Sequence, residues 1–137
     1  MKSSTMIGGK SNQHGRNAAD FYATPPECTI ALLDEFGWLF EGLSVWEPAC
    51  GDGAITKVLR SKKYEVYSSD KYSRGYGLSK VDFLKSEMWP QSIITNPPFH
   101  LAEQFIEKAV TREVPFAMLL KATYWHAAKR SELFNRT

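Results

Sequence analysis

The tetrapeptide Asn96-Pro97-Pro98-Phe99, directly after the apolar run Ser92-Ile93-Ile94-Thr95, joins an amide, two prolines and an aromatic ring in four residues. Proline lacks a backbone N–H and holds φ fixed, so the carbonyls of Asn96 and Pro97 can stand outward, unclaimed by a helix or sheet ladder. A planar, amine-bearing group would donate its N–H hydrogens to the Asn96 side-chain oxygen and the Pro97 carbonyl while its ring stacks on Phe99. Taken alone, the same four residues also read as a surface turn, because Asn-Pro starts turns and Pro-Pro favours extended loops.

A second motif lies upstream, Val45-Trp46-Glu47-Pro48-Ala49-Cys50-Gly51-Asp52-Gly53. It has the order strand, acid, glycine-rich turn, helix. A carboxylate at the end of a first strand sits at the crevice where open α/β sheets bind ligands, and Gly51 and Gly53 let the backbone turn and approach a ligand. A dinucleotide fingerprint would carry a third glycine and no leading acid. Glu47 repels phosphate and attracts an ammonium group, so the pattern suits a ligand with a cationic amino-acid portion.

With both motifs in this order, the chain resembles the S-adenosylmethionine-dependent methyltransferases that act on exocyclic amino groups, most closely the DNA adenine-N6 methyltransferases. The resemblance runs over about residues 20–121. It implies S-adenosylmethionine as cofactor, with Glu47, Pro48, Ala49, Cys50, Gly51 and Gly53 around its methionine end. It also implies a catalytic segment formed by Asn96, Pro97, Pro98 and Phe99, with Asn96 bordering the cofactor as well. Thr24-Pro25, preceded by the aromatic pair Phe21-Tyr22, resembles the family's N-terminal cofactor-binding segment, which brings Tyr22, Thr24 and Pro25 beside the methionine moiety. Val81-Asp82-Phe83-Leu84 resembles the end of the family's third strand, where Asp82 would read the cofactor's adenine amine and the backbone of Phe83 would meet the ring; Asp82 equally suits a cap on a following turn.

The elements that must hold these residues are legible in outline. Thr24 and Glu27 have the spacing of a capping box and Pro25 suits a first helical position, so a helix starts here, with Ile30, Leu33 and Phe36 on one face and Gly37 as its stop. Strands are expected over 43–46 and 65–69, separated by a helix over 54–62 that buries Ile55, Val58 and Leu59. Asp70 ends the second of these strands near the ~20-residue interval at which such folds place an acid for ribose hydroxyls. Residues 71–78 carry no helical stripe, so the usual crossover helix is reduced to a loop that leaves one sheet face open or covered by its own tyrosines. A strand over 92–95 delivers Asn96 to the same rim. Leu101, Phe105, Ile106, Ala109 and Val110 then recur at helical spacing over 101–112, Pro115 breaks the pattern, and 116–120 reads as a buried fifth strand. A last helix over 125–134 offers Trp125, Leu133 and Phe134 to the core.

The expected fold is α/β, a Rossmann-like methyltransferase sheet of strand order 3-2-1-4-5 with helices on both faces. The family usually closes this sheet with two further strands and adds a target-recognition region. Residues 20–137 are therefore read as a methyltransferase domain incomplete at its C-terminus: a truncated chain, a natural minimal form, or a fragment for which another chain or a missing segment supplies target recognition. Residues 1–19 contain Lys2, Lys10 and Arg16 and no acid, a flexible basic arm. A second basic group, Lys121, Lys129, Arg130 and Arg136, lies near the end. Either set suits phosphate contact or simple solvation, and the net charge of +2 is too small to announce a nucleic-acid protein.

With 43% hydrophobic residues in 137, one domain with a core is expected. No stretch suits a membrane span or signal core, and the reading is cytoplasmic. Cys28 and Cys50 read as free thiols, and His14, His100 and His126 form no metal spacing with them, so no metal is expected. His100 follows Phe99 and is placed to meet a flipped nucleotide. Asn at position 96 is a neutral acceptor, compatible with adenine-N6 in DNA, the preferred client, and with RNA guanine-N2, cytosine-N4 or a protein glutamine amide. The competing class is a non-catalytic cofactor- or DNA-binding module built on the same crevice.

Overall fold

The computed structural model describes residues 23–120. Tyr22, the basic arm, the C-terminal basic group and the expected 125–134 helix lie outside them. The order is helix α1 (Pro26–Phe36), strand β1 (Val45–Glu47), helix α2 (Ala54–Ser61), strand β2 (Val66–Ser68), strand β3 (Ile93–Thr95), helix α3 (Ala102–Arg112) and strand β4 (Phe116–Met118). Single 3-10 turns occupy Gly37–Leu39, Phe83–Lys85 and Phe99–Leu101. The strands form one parallel sheet ordered β2-β1-β3-β4, with Val45 beside Val66, Trp46 beside both Tyr67 and Ile93, and Ile94 beside Ala117.

Side chains alternate across this sheet and build a core on each face. Val45 and Ile94 pack with Phe40, Ile55 and Leu59 on one side, while Trp46 and Ile93 pack with Phe83, Phe105 and Ala109 on the other. The chain passes from β1 to β2 on one side and then to β3 on the other. The topological switch therefore lies between β1 and β3, and the crevice outside their carboxyl ends is where a ligand is expected in such a sheet. Glu47 and Asn96 stand at those two ends.

The α/β architecture and helices on both faces are as expected, and the strand order differs at one edge. The third strand expected over 81–84 is absent. Its place beside β2 is taken earlier, by a single parallel bridge between Leu78 and Ser69, with Leu78 N–H donating to Ser68 and Asp70 N–H donating to Leu78. Once Leu78 has satisfied the edge of β2, Val81 donates to Asp70 and the chain turns away. Asp82 then caps the Phe83–Lys85 turn, accepting the Leu84 N–H at 3.0 Å.

The helix boundaries also carry corrections. No capping box forms at Thr24: α1 begins at Pro26 with Pro25 as its N-cap and no side-chain cap. Gly37 does not stop the helix by turning left-handed; its φ is −57° and the chain continues into the Gly37–Leu39 turn. Thr29 is buried and Leu32 and Leu33 pack against the Phe40, Val45, Ile55, Leu59 and Ile94 core, whereas Phe36 is 46% exposed and Ile30 is exposed as well. In α3, Phe105, Ile106 and Ala109 are buried as the spacing required; Leu101 lies half-buried in the preceding 3-10 turn, Ala102 takes the buried position at the helix start, and Val110 is exposed. β4 is half-buried rather than buried. No helix among the described residues is long and apolar enough to cross a membrane.

Candidate active site

A cavity of about 300 Å³ opens at the switch point. Glu47 lines it from the end of β1 and Pro48, Ala49, Cys50 and Gly51 from the turn that follows, Asp70 from just after β2, Asp82 and Phe83 from the later turn, and Asn96 and Pro98 from just after β3, with Thr24 arriving from the segment before α1. Residues from five separate stretches thus meet around one cavity.

Glu47 is 1% exposed. The Thr56 hydroxyl on α2 donates to its Oε1 at 2.7 Å and lies 2.6 Å from the Ser68 hydroxyl on β2. Burial pushes the Glu47 carboxyl up to about 7, with the Asp70 charge adding to the rise and the Thr56 hydrogen bond opposing it. A buried acid poised near neutrality is a strong acceptor for a ligand cation.

Asp70 holds the glycine turn in place. Its Oδ2 accepts the Gly51 N–H and its Oδ1 the Tyr72 N–H, both at 2.9 Å. A carboxylate has about four lone-pair sites, so each oxygen retains capacity for a ligand hydroxyl. Gly51 is left-handed at φ 56°, which brings bare backbone to the cavity wall. Gly53 is left-handed too, at φ 89°, but it lies outside the cavity lining, and the Tyr76 ring sits 2.7 Å from where its Cβ would be. Its smallness therefore serves Tyr76 rather than ligand approach. Tyr76 is held there by Arg60, which donates to its hydroxyl at 2.9 Å, and by the Lys57 ammonium 5.3 Å from the ring centre. The loop expected over 71–78 does fold its tyrosines back onto the domain.

Cys50 is buried and Cys28 exposed, both as free thiols. Burial, with the negative charges of Glu47 and Asp70, pushes the Cys50 thiol up to about 12. It is a packing group, not a nucleophile. Asp82 lines the cavity while capping its turn, and Lys71 lies 3.9 Å from its Oδ2. Phe83 is buried between Trp46 and Phe105, at centroid distances of 5.2 and 4.7 Å.

Asn96 donates from Nδ2 to the Thr24 hydroxyl oxygen at 3.0 Å. Pro97 is buried and Phe99 is 41% exposed at the start of a 3-10 turn; neither belongs to the cavity lining, whereas Pro98 does. Pro25 lines a neighbouring groove with Lys57 and Val58. Thr56, Ser68, Tyr72 and Arg74 also serve or border this site, and sequence reasoning did not select them. A threonine within an amphipathic helix carries no signal of its own until β1 and β2 are placed beneath it. Among the described residues no group of His, Cys, Asp and Glu is arranged to hold a metal ion.

No family model matches the chain, and no curated protein matches it. Among solved structures it is similar to one named "putative RNA methyltransferase" from Pyrococcus horikoshii, with a TM-score of 0.56 and 18% identity over 71% of this chain. The chain spans 57% of that protein's length. With the parallel sheet and its switch-point cavity, this likeness shows a Rossmann-like methyltransferase fold.

Proposed function

We propose that the cavity binds S-adenosylmethionine and that the chain directs methyl transfer to an exocyclic amino group of a nucleic-acid base, with N6 of adenine in DNA as the preferred client. One observation carries the reading: the acids Glu47, Asp70 and Asp82 and the amide of Asn96 line a single cavity at the switch point. The residues fit the cofactor. Glu47 suits an amino-acid ammonium, the bare backbone at Gly51 suits close approach, and Asp70 and Asp82 suit ribose hydroxyls and an adenine amine.

When bound, the sulfonium supplies an activated methyl group. The chain must then orient an amine lone pair along the transfer axis. An aryl amine delocalises its lone pair into the ring. Hydrogen bonds from its N–H groups to the Asn96 side-chain oxygen and the Pro97 carbonyl favour a more tetrahedral nitrogen and stabilise the positive charge that develops there. A duplex base reaches such a site only by leaving the stack, at a cost of a few kcal/mol, and stacking on exposed Phe99, worth about 1–3 kcal/mol, offsets much of it.

A second reading, methylation of an RNA base, is favoured by the name of the structural neighbour. The deciding experiment incubates the chain with labelled cofactor and separate DNA and RNA pools and identifies methylated nucleosides by mass. N6-methyladenine from DNA, lost in Asn96→Ala with S-adenosylhomocysteine binding retained, is expected. Label in RNA alone favours the second reading; cofactor binding with no transfer to either pool favours a binding module, and no cofactor binding ends the proposal.

A further inference from the structure

Two helix hydroxyls in this domain are spent locally. Ser61 on α2 donates to the Val58 carbonyl and Thr111 on α3 to the Lys108 carbonyl, each three residues back and both at 2.6 Å. Thr56 behaves otherwise. It is fully buried on α2 beside Ile55 and Leu59, and its hydroxyl reaches off the helix to the sheet, donating to Glu47 Oε1 at 2.7 Å. Behind it, 2.6 Å away, stands the hydroxyl of Ser68 on β2, itself a buried residue. We propose that Thr56 is a positioning residue which, backed by Ser68, holds the Glu47 carboxyl ionised and ready for a ligand cation. The identity of that cation, and nothing else, rests on the reading of the cavity as a cofactor site.

A hydroxyl can donate or accept, but it has one proton, and an ionised carboxylate has none. With Glu47 ionised the chain of groups therefore has one arrangement: Thr56 gives its proton to Glu47, and Ser68 gives its own to Thr56. Both contacts are then satisfied, and the one on the carboxylate is charge-assisted, roughly twice as strong as a bond between neutral groups. With Glu47 protonated the chain can run either way, and that extra strength is gone. The two hydroxyls thus lower the cost of a charge that burial opposes, on a residue 1% exposed. The neighbouring groups do not do this. Asp70, just after β2, opposes the ionisation of Glu47, the Cys50 thiol stays neutral, and Asn96, just after β3, carries no charge. Asp52, Lys71, Tyr72, Arg74, Asp82 and His100 line other parts of the cavity, and exposed Lys57, next to Thr56 on α2, has its ammonium over the Tyr76 ring. All of these are common to wild type and a Thr56 variant, so a difference between the two isolates the hydroxyl.

Glu47 can be titrated directly in the chain without cofactor, through the carbon-13 shift of its side-chain carboxyl, assigned by its absence in Glu47→Gln. Wild type should titrate at about 7. Thr56→Val, which keeps the shape and removes the hydroxyl, should raise that midpoint by about one pH unit or more, the scale of one hydrogen bond to a charged group. Ser68→Ala should move it the same way by less, and Thr56→Ser should leave it at the wild-type value. Affinity for S-adenosylhomocysteine, measured by calorimetry, should follow the charge: Thr56→Val should bind about fivefold or more weakly than wild type at pH ~7 and within about twofold of it at pH ~9, where both carboxyls are largely ionised. An unmoved midpoint, or an affinity loss of the same size at every pH, overturns the proposal and leaves Thr56 a packing residue. A moved midpoint in a chain that binds no cofactor supports it and strikes the cofactor reading instead.

Discussion

Asp70 Oδ2 accepts the Gly51 N–H at 2.9 Å, so the acid that ends β2 fastens the turn that ends β1. On the proposed function the same side chain would have two duties, building the glycine turn and meeting a ligand hydroxyl. Asp70→Asn would turn one acceptor oxygen into a donor facing a backbone N–H. A loss of about 1–3 kcal/mol is expected, the cost of an unsatisfied buried group. Urea denaturation would show a lower midpoint at unchanged slope, and calorimetry a weaker affinity for S-adenosylhomocysteine. A wild-type midpoint in the variant would mean the bond does not hold the turn.

The buried Glu47 carboxyl has a pH signature. Its folded value, raised to about 7 from 4.5, means that the native state retains a proton which the unfolded chain gives up. Its contribution is present in full below about 4.5 and is lost as pH rises to about 7, on the order of 3 kcal/mol at ~1.4 kcal/mol per unit. Stability measured from pH 4 to 8 for wild type and Glu47→Gln should differ in this window, with the variant lacking the fall. Binding of the sulfonium cofactor should strengthen through the upper part of the same range and release a proton, because the ionised carboxylate is the form that attracts a cation.

Gly53 carries two independent reasons for having no side chain, its φ of 89° and the Tyr76 ring. Gly53→Ala should destabilise by roughly 1–3 kcal/mol. Adding Tyr76→Ala should relieve the steric part and leave the backbone part. A double variant whose chemical-denaturation stability is simply the sum of the two single losses would show that the ring is not the obstacle.

Phe99 should act on substrate and not on cofactor. Phe99→Ala is expected to raise KM for the nucleic acid about tenfold, corresponding to the loss of a stacking contact of roughly 1–3 kcal/mol. Affinity for S-adenosylhomocysteine, measured by calorimetry, should stay within about twofold, as Phe99 lies outside the cavity lining.

Thiol chemistry should separate the two cysteines. Native protein treated with iodoacetamide at pH 8 should gain one adduct, at exposed Cys28, while Cys50 stays unmodified because its thiol is buried and pushed up to about 12. Unfolding in urea should give two. Labelling of Cys50 in the native state would contradict its closed packing against the carbonyl of Tyr76, 3.4 Å away.

What the linear chain determined by itself were the strand ends and their chemistry. Glu47 and Asn96 could be placed at one rim because each follows a short apolar run and precedes a helix, and a parallel sheet sends all such ends to the same side. The helix over 102–112 was legible from its periodic apolar face, and the missing crossover helix from the lack of one in residues 71–78. What the tertiary structure decided were choices between partners of similar local merit. Leu78 rather than the 81–84 run pairs with β2, because a sheet edge is satisfied by whichever backbone reaches it first, and apolar content does not specify pairing. Thr24 had a local use as a helix cap and a distant one on Asn96; the fold chose the distant one, since only folding brings Asn96 within 3.0 Å. Thr56 joined Glu47, and Ser68 joined Thr56, for the same reason. A hydroxyl on a helix and one on a strand link into a chain ending on a carboxylate only when α2 packs across β1 and β2, and burial then makes each of those hydrogen bonds matter.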